Sequence, residues 1–332
     1  MNKTHTASGV IVLLITAVIW GFAFVFQVQT TLGAFWFNGI RFPLGILTLI
    51  PVILIFERKP LPGPELKRLW LYGFLAGLCL FTASTLQMFG IALSKNSAKA
   101  GFITGFYLIL VPLMAWLFFR NALRWGTLIG ALFGVAGLFF LNFQSLGSFS
   151  VNPGDLLILA CSVFFAFQIL IIDRYAQSLP SFKFTTVEFM TVAILSLIAA
   201  PIFERETVLS LETLRVNLPS LLFCGILSCG VAYTGQVVGQ KHVEPSLSCL
   251  LMCSESVFAA VGGAIILHEN LGWIGYLGCA LVFCGILISG SKLGSREIRI
   301  SSRHKTESDI QKGEQEPASC EQNHDSEQQR PS

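Results

Sequence analysis

Charge is what this sequence lacks. Of its 332 residues only 12% are Asp, Glu, Lys or Arg while 53% are hydrophobic, and the mean hydropathy is +0.69; a soluble globular domain carries about 25% charged residues. Residues 292–332 hold 7 basic and 8 acidic side chains, leaving 15 and 11 for the 291 residues before them. No soluble core requires so apolar a body, which points to an integral membrane protein. Also missing is any C-x-x-C. Eight of the nine cysteines (79, 161, 224, 229, 249, 253, 279 and 284) fall inside apolar stretches, so they read as small buried hydrophobes rather than as a disulfide framework or metal site. Absent too are H-E-x-x-H, G-x-S-x-G and a Walker A loop; Gly285 to Lys292 reads G-x4-G-S-K, without the Gly-Lys pair that phosphate binding needs. Neither an enzyme nor a cofactor is therefore expected. The net charge of +3 is not gathered beside any groove-reading or stacking motif, which excludes nucleic acid as a partner.

What is present is apolar length. A helix crossing ~30 Å of hydrocarbon needs about 20 residues, and ten runs approach that, at about 8–27, 34–55, 70–92, 99–119, 125–142, 154–172, 184–203, 218–238, 245–267 and 272–290. The expected fold is an all-α integral membrane protein of ten transmembrane helices. The first run is longer than a signal-peptide core and is read as a retained span. With the N-terminus in the cytoplasm, ten basic residues face inward before the tail is counted and only Lys95, Lys99, Arg205 and Arg215 face outward, the asymmetry of a positive-inside protein. Both termini are then cytoplasmic. After the last span, Lys292, Arg296, Arg299, Arg303 and Lys305 face Glu297 alone and suit anionic inner-leaflet lipid. Residues 306–332 are rich in Glu, Gln and Ser, so the domain reading is one repeat over 8–143, a second over 154–290, and a disordered cytoplasmic tail over 291–332.

The two halves align at an offset of 147 to 149 residues. Leu123, Trp125, Gly130 and Gly137 recur as Leu271, Trp273, Gly278 and Gly285. Gln87 with Gly90 matches Gln236 with Gly239, Arg41-Phe42 stands where Glu188-Phe189 stands in the second half, and Phe-Ala-Phe occurs in both the first and the sixth spans, at Phe22 to Phe24 and, 143 residues on, Phe165 to Phe167. Five spans per repeat is an odd number, so the second copy enters the bilayer from the opposite side. Inverted repeats of this kind are an architecture of secondary transporters.

A charge at membrane depth needs a partner or a role, and three residues qualify: Arg41, Glu188 and Glu255. Glu255, in Met252-Cys253-Ser254-Glu255-Ser256, lies deepest, and is either a structural carboxyl or a group of the translocation path. Arg41 either snorkels toward the interface or contacts a substrate carboxylate or Glu255. Glu188, near a helix end, reads as structural. Trp20, Thr82, Gln87, Tyr107, Gln168, Tyr233 and Gln236 also lie within spans and either bridge helices or line a polar cavity. Pro112 permits a kink in the fourth span.

Trp20-Gly21-x-x-Phe24, Arg41-Phe42, the Ser97-Ala98 start of the fourth span with Pro112 inside it, and Leu267-x-Glu269 resemble the drug/metabolite transporter superfamily in its EamA-like branch. The sequence departs from that pattern at Glu255-Ser256, where Glu-Pro is frequent, and at Phe119-Arg120-Asn121, which lacks a glutamate. The resemblance implies a carrier of the bacterial inner membrane, proton-coupled or exchanging. Its cargo is expected to be a small amino-acid-like metabolite, with S-adenosylmethionine/S-adenosylhomocysteine exchange, multidrug export and a non-transporting scaffold as alternatives. The expected substrate site is Trp20, Phe24, Arg41, Gln87, Tyr107, Gln168, Tyr233, Gln236 and Glu255. The expected partners are a small-molecule substrate and membrane lipid, with a homodimer as the candidate oligomer. Deleting residues 296–332 separates carrier from scaffold: flux is expected to be retained, measured in proteoliposomes, whereas a scaffold would lose its function with the tail.

Overall fold

The computed structural model describes residues 3–94, 97–119, 125–142, 152–206, 209–266 and 272–290, and every regular element among them is helical. In chain order these are α1 (Lys3–Gln29), α2 (Ala34–Phe56), α3 (Gly63–Ser94), α4 (Ser97–Thr104), α5 (Tyr107–Phe119), α6 (Trp125–Asn142), α7 (Pro153–Tyr175), α8 (Ser181–Phe203) and α9 (Leu211–Leu222), then a π-helical stretch (Phe223–Tyr233), α10 (Thr234–Gln240), α11 (Pro245–Cys253), α12 (Glu255–Ile266) and α13 (Gly272–Gly290). Eight helical stretches among the described residues are long and apolar enough to cross a membrane, and Tyr107–Phe119 and Trp125–Phe140 are shorter apolar helices. Two expected spans are not single helices. The fourth is interrupted by a turn at Gly105 and Phe106, and the ninth at Ser254. The expected tail, the pair Leu123 and Leu271, Phe119's neighbours Arg120 and Asn121, and Leu267 with Glu269 lie outside the described residues.

The recurring glycines meet one another. A Cβ on Gly130 would stand 2.8 Å from the carbonyl oxygen of Gly285, and one on Gly137 would stand 2.7 Å from that of Gly278. Any side chain there would force α6 and α13 apart, so small residues at this crossing are a packing requirement. The pairing order, 130 with 285 and 137 with 278, also makes the two helices antiparallel.

A second reciprocal contact joins α2 and α8. Helix α2 is preceded by Gly33 and α8 by Pro180, and neither supplies a side-chain cap. Each helix instead receives a carboxylate from the far end of the other. Glu204, just after α8, accepts from the Phe35 and Trp36 amides at 3.0 Å each. Glu57, just after α2, accepts from the Phe182 and Lys183 amides at 3.1 and 2.9 Å. A carboxylate on free N–H groups at a helix start is favoured both by the hydrogen bonds and by the helix dipole. Gly33 is needed for close approach, since a Cβ there would lie 2.3 Å from the Glu204 carboxyl carbon. The two clasps sit at opposite ends of an antiparallel pair. Beside the Glu57 clasp, Lys241 donates to the Leu179 carbonyl; burial pushes its ammonium below the ordinary lysine range, and the Glu57 carboxylate opposes that shift.

Other helix starts are capped locally. Asn152 and Asp155 form a capping box ahead of α7 with Pro153 at its first turn, and Ser210 accepts from the Thr213 amide ahead of α9. Large apolar side chains face outward along the bundle, among them Leu54, Phe56, Leu117, Phe203 and Leu287, as a lipid-facing surface requires. Replacing Glu57 or Glu204 by Ala is expected to cost about 1–2 kcal/mol each, with additive losses because the clasps share no partners. Thermal unfolding of the two single variants and the double variant in detergent measures this.

Candidate functional site

Between α1, α3, α7, the π-helical stretch, α10 and the two broken helices lies a small cavity of about 40 Å³, enough for a few waters. Its polar lining is Gln27, Gln87, Thr104, Tyr107, Gln168, Ser228, Tyr233, Gln236 and Glu255; its apolar lining is Trp20, Phe24, Phe165, Ile169 and Met252. Eight of the nine expected site residues stand on this wall. Arg41 does not, and Thr82 is also elsewhere, its hydroxyl donating back to the Leu78 carbonyl at 2.9 Å.

The helix breaks place the central pair. Tyr107 is the first residue of α5 and Glu255 the first of α12, and the Tyr107 hydroxyl donates to Glu255 Oε1 at 3.5 Å across 148 residues. Cys253 contacts the Gly105 carbonyl at the same separation. The repeat offset therefore relates the two residues that face each other. Glu255 is only 6% exposed.

On the opposite wall three side chains form a network. Gln168 Nε2 donates to Glu188 Oε1 at 2.8 Å and stands 3.4 Å from Gln236 Oε1, while Gln236 Nε2 donates back to Gln168 Oε1 at 3.1 Å. Glu188 is fully buried, and its second oxygen has no partner. It lies behind the wall and fixes the Gln168 amide. On the side of α3, the Gln87 amide donates to the Thr104 hydroxyl at 3.4 Å.

The π-helical stretch brings in Ser228 and Tyr233. Such stretches widen a helix and re-aim its side chains. Here the widened segment lies tight against α2: a Cβ on Gly225 would stand 2.7 Å from the Leu44 Cβ, and one on Gly230 would stand 2.0 Å from the Thr48 hydroxyl. Tyr233 meets Trp20 edge to face at 4.8 Å and also packs near Phe42 and Phe189, at 6.1 and 6.0 Å.

Arg41 sits behind this aromatic layer. It is 1% exposed, its Nε donates to Asn38 Oδ1 at 2.9 Å, and its guanidinium lies 5.1 and 5.0 Å from the Phe37 and Phe42 rings. Those contacts hold it by hydrogen bond and cation–π attraction on α2, and it also faces Cys224, Cys229 and Tyr233 of the π-helical stretch. It neither snorkels to an interface nor reaches Glu255.

Sequence reasoning missed Gln27, Thr104, Phe165, Ile169, Ser228 and Met252. Helical spacing carried part of the signal: Trp20, Phe24 and Gln27 share one face of α1, and Phe165, Gln168 and Ile169 share one face of α7. Among the described residues no group of three His, Cys, Asp or Glu is placed to hold a metal.

A bundle of apolar helices around a buried polar cavity defines an integral membrane transporter. The chain matches the EamA-like transporter family twice, over residues 7–143 and 152–291, and belongs to it. An uncharacterized transporter of Archaeoglobus fulgidus is 27% identical over 279 residues, 83% of either chain. The uncharacterized transporter YetK of Bacillus subtilis is 22% identical over 277 residues, 81% of this chain and 82% of its own. A solved crystal structure, 19% identical, superposes with a TM-score of 0.71 over 86% of this chain and 96% of that one, a likeness of fold.

Replacing Glu188 by Leu takes from the buried Gln168 amide its shorter acceptor and leaves it only Gln236 Oε1 at 3.4 Å, and is expected to destabilise by about 1–3 kcal/mol. Glu188→Gln keeps an acceptor for it and is expected to lose less. The two melting temperatures in detergent decide.

Proposed function

We propose that this protein is a secondary carrier of the bacterial plasma membrane, built of ten spans in two inverted five-helix repeats over 8–143 and 154–290, with both termini cytoplasmic. It moves a small amine-bearing metabolite of amino-acid size by alternating access, in exchange for protons or for a second solute. The antiparallel glycine crossing of α6 with α13 and the reciprocal clasps of α2 with α8 support the inverted relation. The positive-inside count supports the orientation.

The observation that carries the reading is the pair of helix breaks at matching positions, with Tyr107 and Glu255 facing each other at their ends. Departures from regular helix at corresponding places in two repeats are found at the substrate site of many secondary transporters. A buried carboxyl there holds either a proton or a cationic group of the cargo, and that exclusivity couples the two movements.

The test is counterflow in proteoliposomes loaded with unlabelled amino acids, amines, S-adenosylmethionine or nucleosides and offered the labelled compound outside. Saturable accumulation of one class is expected, and Glu255→Gln, at an unchanged melting temperature, is expected to lower its initial rate about tenfold or more. No accumulation across the panel by folded protein would overturn the carrier reading.

A further inference from the structure

We infer that the central cavity takes amines that carry no free carboxylate, and rejects the corresponding zwitterionic amino acids. This rests on the carrier reading and narrows its cargo. The cavity lining includes one carboxyl, Glu255, and, among the described residues, no Lys, Arg or His. The arginine that would pair with a cargo carboxylate is Arg41, and it lies outside the lining, bonded to Asn38 and covered by Phe37 and Phe42.

Neutral donors carry no charge to replace it, and several of them are already engaged. Gln168 directs its amide nitrogen to Glu188 and Gln236, Gln87 directs its own to Thr104, and the Tyr107 hydroxyl is turned to Glu255. Nor do the two helix breaks offer an anion cradle. The amides of Leu108, Ile109 and Leu110 bond to the carbonyls of Gly105 and Phe106, and those of Val257 and Phe258 to that of Ser254. Among the described residues the lining atoms that are both fully buried and without a hydrogen-bond partner are the Gln27 carbonyl oxygen and the Trp20 indole N–H. The first is an acceptor for an ammonium or N–H group, and the second is a single uncharged donor.

A carboxylate entering here would be desolvated with no cation among the lining residues to meet it, and an unpaired buried charge opposes binding. An ammonium has Glu255 to meet it, and the Trp20, Tyr107 and Tyr233 rings offer faces that attract cations.

The experiment compares phenethylamine, L-phenylalanine methyl ester and L-phenylalanine, which share a ring and an amine and differ in the carboxylate. Their binding to the detergent-purified full chain is measured by isothermal titration calorimetry. The amine and the ester are expected to bind about tenfold or more tighter than the amino acid, and Glu255→Gln to remove that preference at an unchanged melting temperature. Equal or tighter binding of L-phenylalanine overturns the inference and leaves the carrier reading standing, and so does binding by none of the three when counterflow shows another cargo. As a second measurement, Arg41→Gln is expected to leave the ranking of the three ligands unchanged; a selective loss of L-phenylalanine binding in that variant would place the guanidinium at the cargo and overturn the inference as well.

Discussion

The structure depends on one constraint: a helix about to enter hydrocarbon begins with free backbone N–H groups, and where these are packed among other helices the protein must supply the acceptors. At α2 and α8 the residues that would normally cap are glycine and proline, and the acceptors arrive from the opposite helix as whole carboxylates. Because each carboxylate follows the end of the helix it belongs to, the same two residues that close the helices also fix their pairing. Direction, register and end-to-end spacing of α2 against α8 follow from Glu57 and Glu204 together.

The same constraint decides where a helix is allowed to break. The turns at Gly105–Phe106 and Ser254 interrupt the fourth and ninth apolar runs deep in the bundle, and local hydrogen bonds close both. They adjoin the cavity, and each delivers a polar residue to it at the first position of the new helix. The π-helical stretch adds Ser228 and Tyr233 by a different departure from regular helix. Irregular backbone in this membrane protein is thus concentrated where it lines a polar space.

Much of the architecture was legible because apolar length and glycine spacing are local signals. The tryptophan and glycine repeat was visible, and its structural meaning is that the two copies pack on each other. The most informative repeat was passed over: Ile55-Phe56-Glu57-Arg58 recurs identically as Ile202-Phe203-Glu204-Arg205, 147 residues later, and its glutamates are the two clasps. Charged residues at the edge of a span look like ordinary flanking charge until their partners are known. The cavity wall was legible for the opposite reason, since amides and phenols inside apolar runs are costly and so conspicuous. The helix breaks were not, because Gly105-Phe106 and Ser254 carry no proline or charge to mark them.

Arg41 shows where depth alone misleads. A buried arginine and a buried glutamate in one small bundle invite the reading that they pair or share a zwitterion, and composition contains nothing against it. What separates them is direction: Arg41 lies on α2, and its hydrogen bond to Asn38 three residues earlier turns the guanidinium along its own helix, over two phenyl rings. The guanidinium is then satisfied behind the aromatic layer while the Glu255 carboxyl stands on the cavity wall, leaving the site electrostatically one-sided. A one-sided site has a mechanistic consequence that a paired one lacks. With no fixed cation on the wall to neutralise it, the Glu255 carboxyl is open to a proton or to a cationic ligand, and the two compete for the same oxygens.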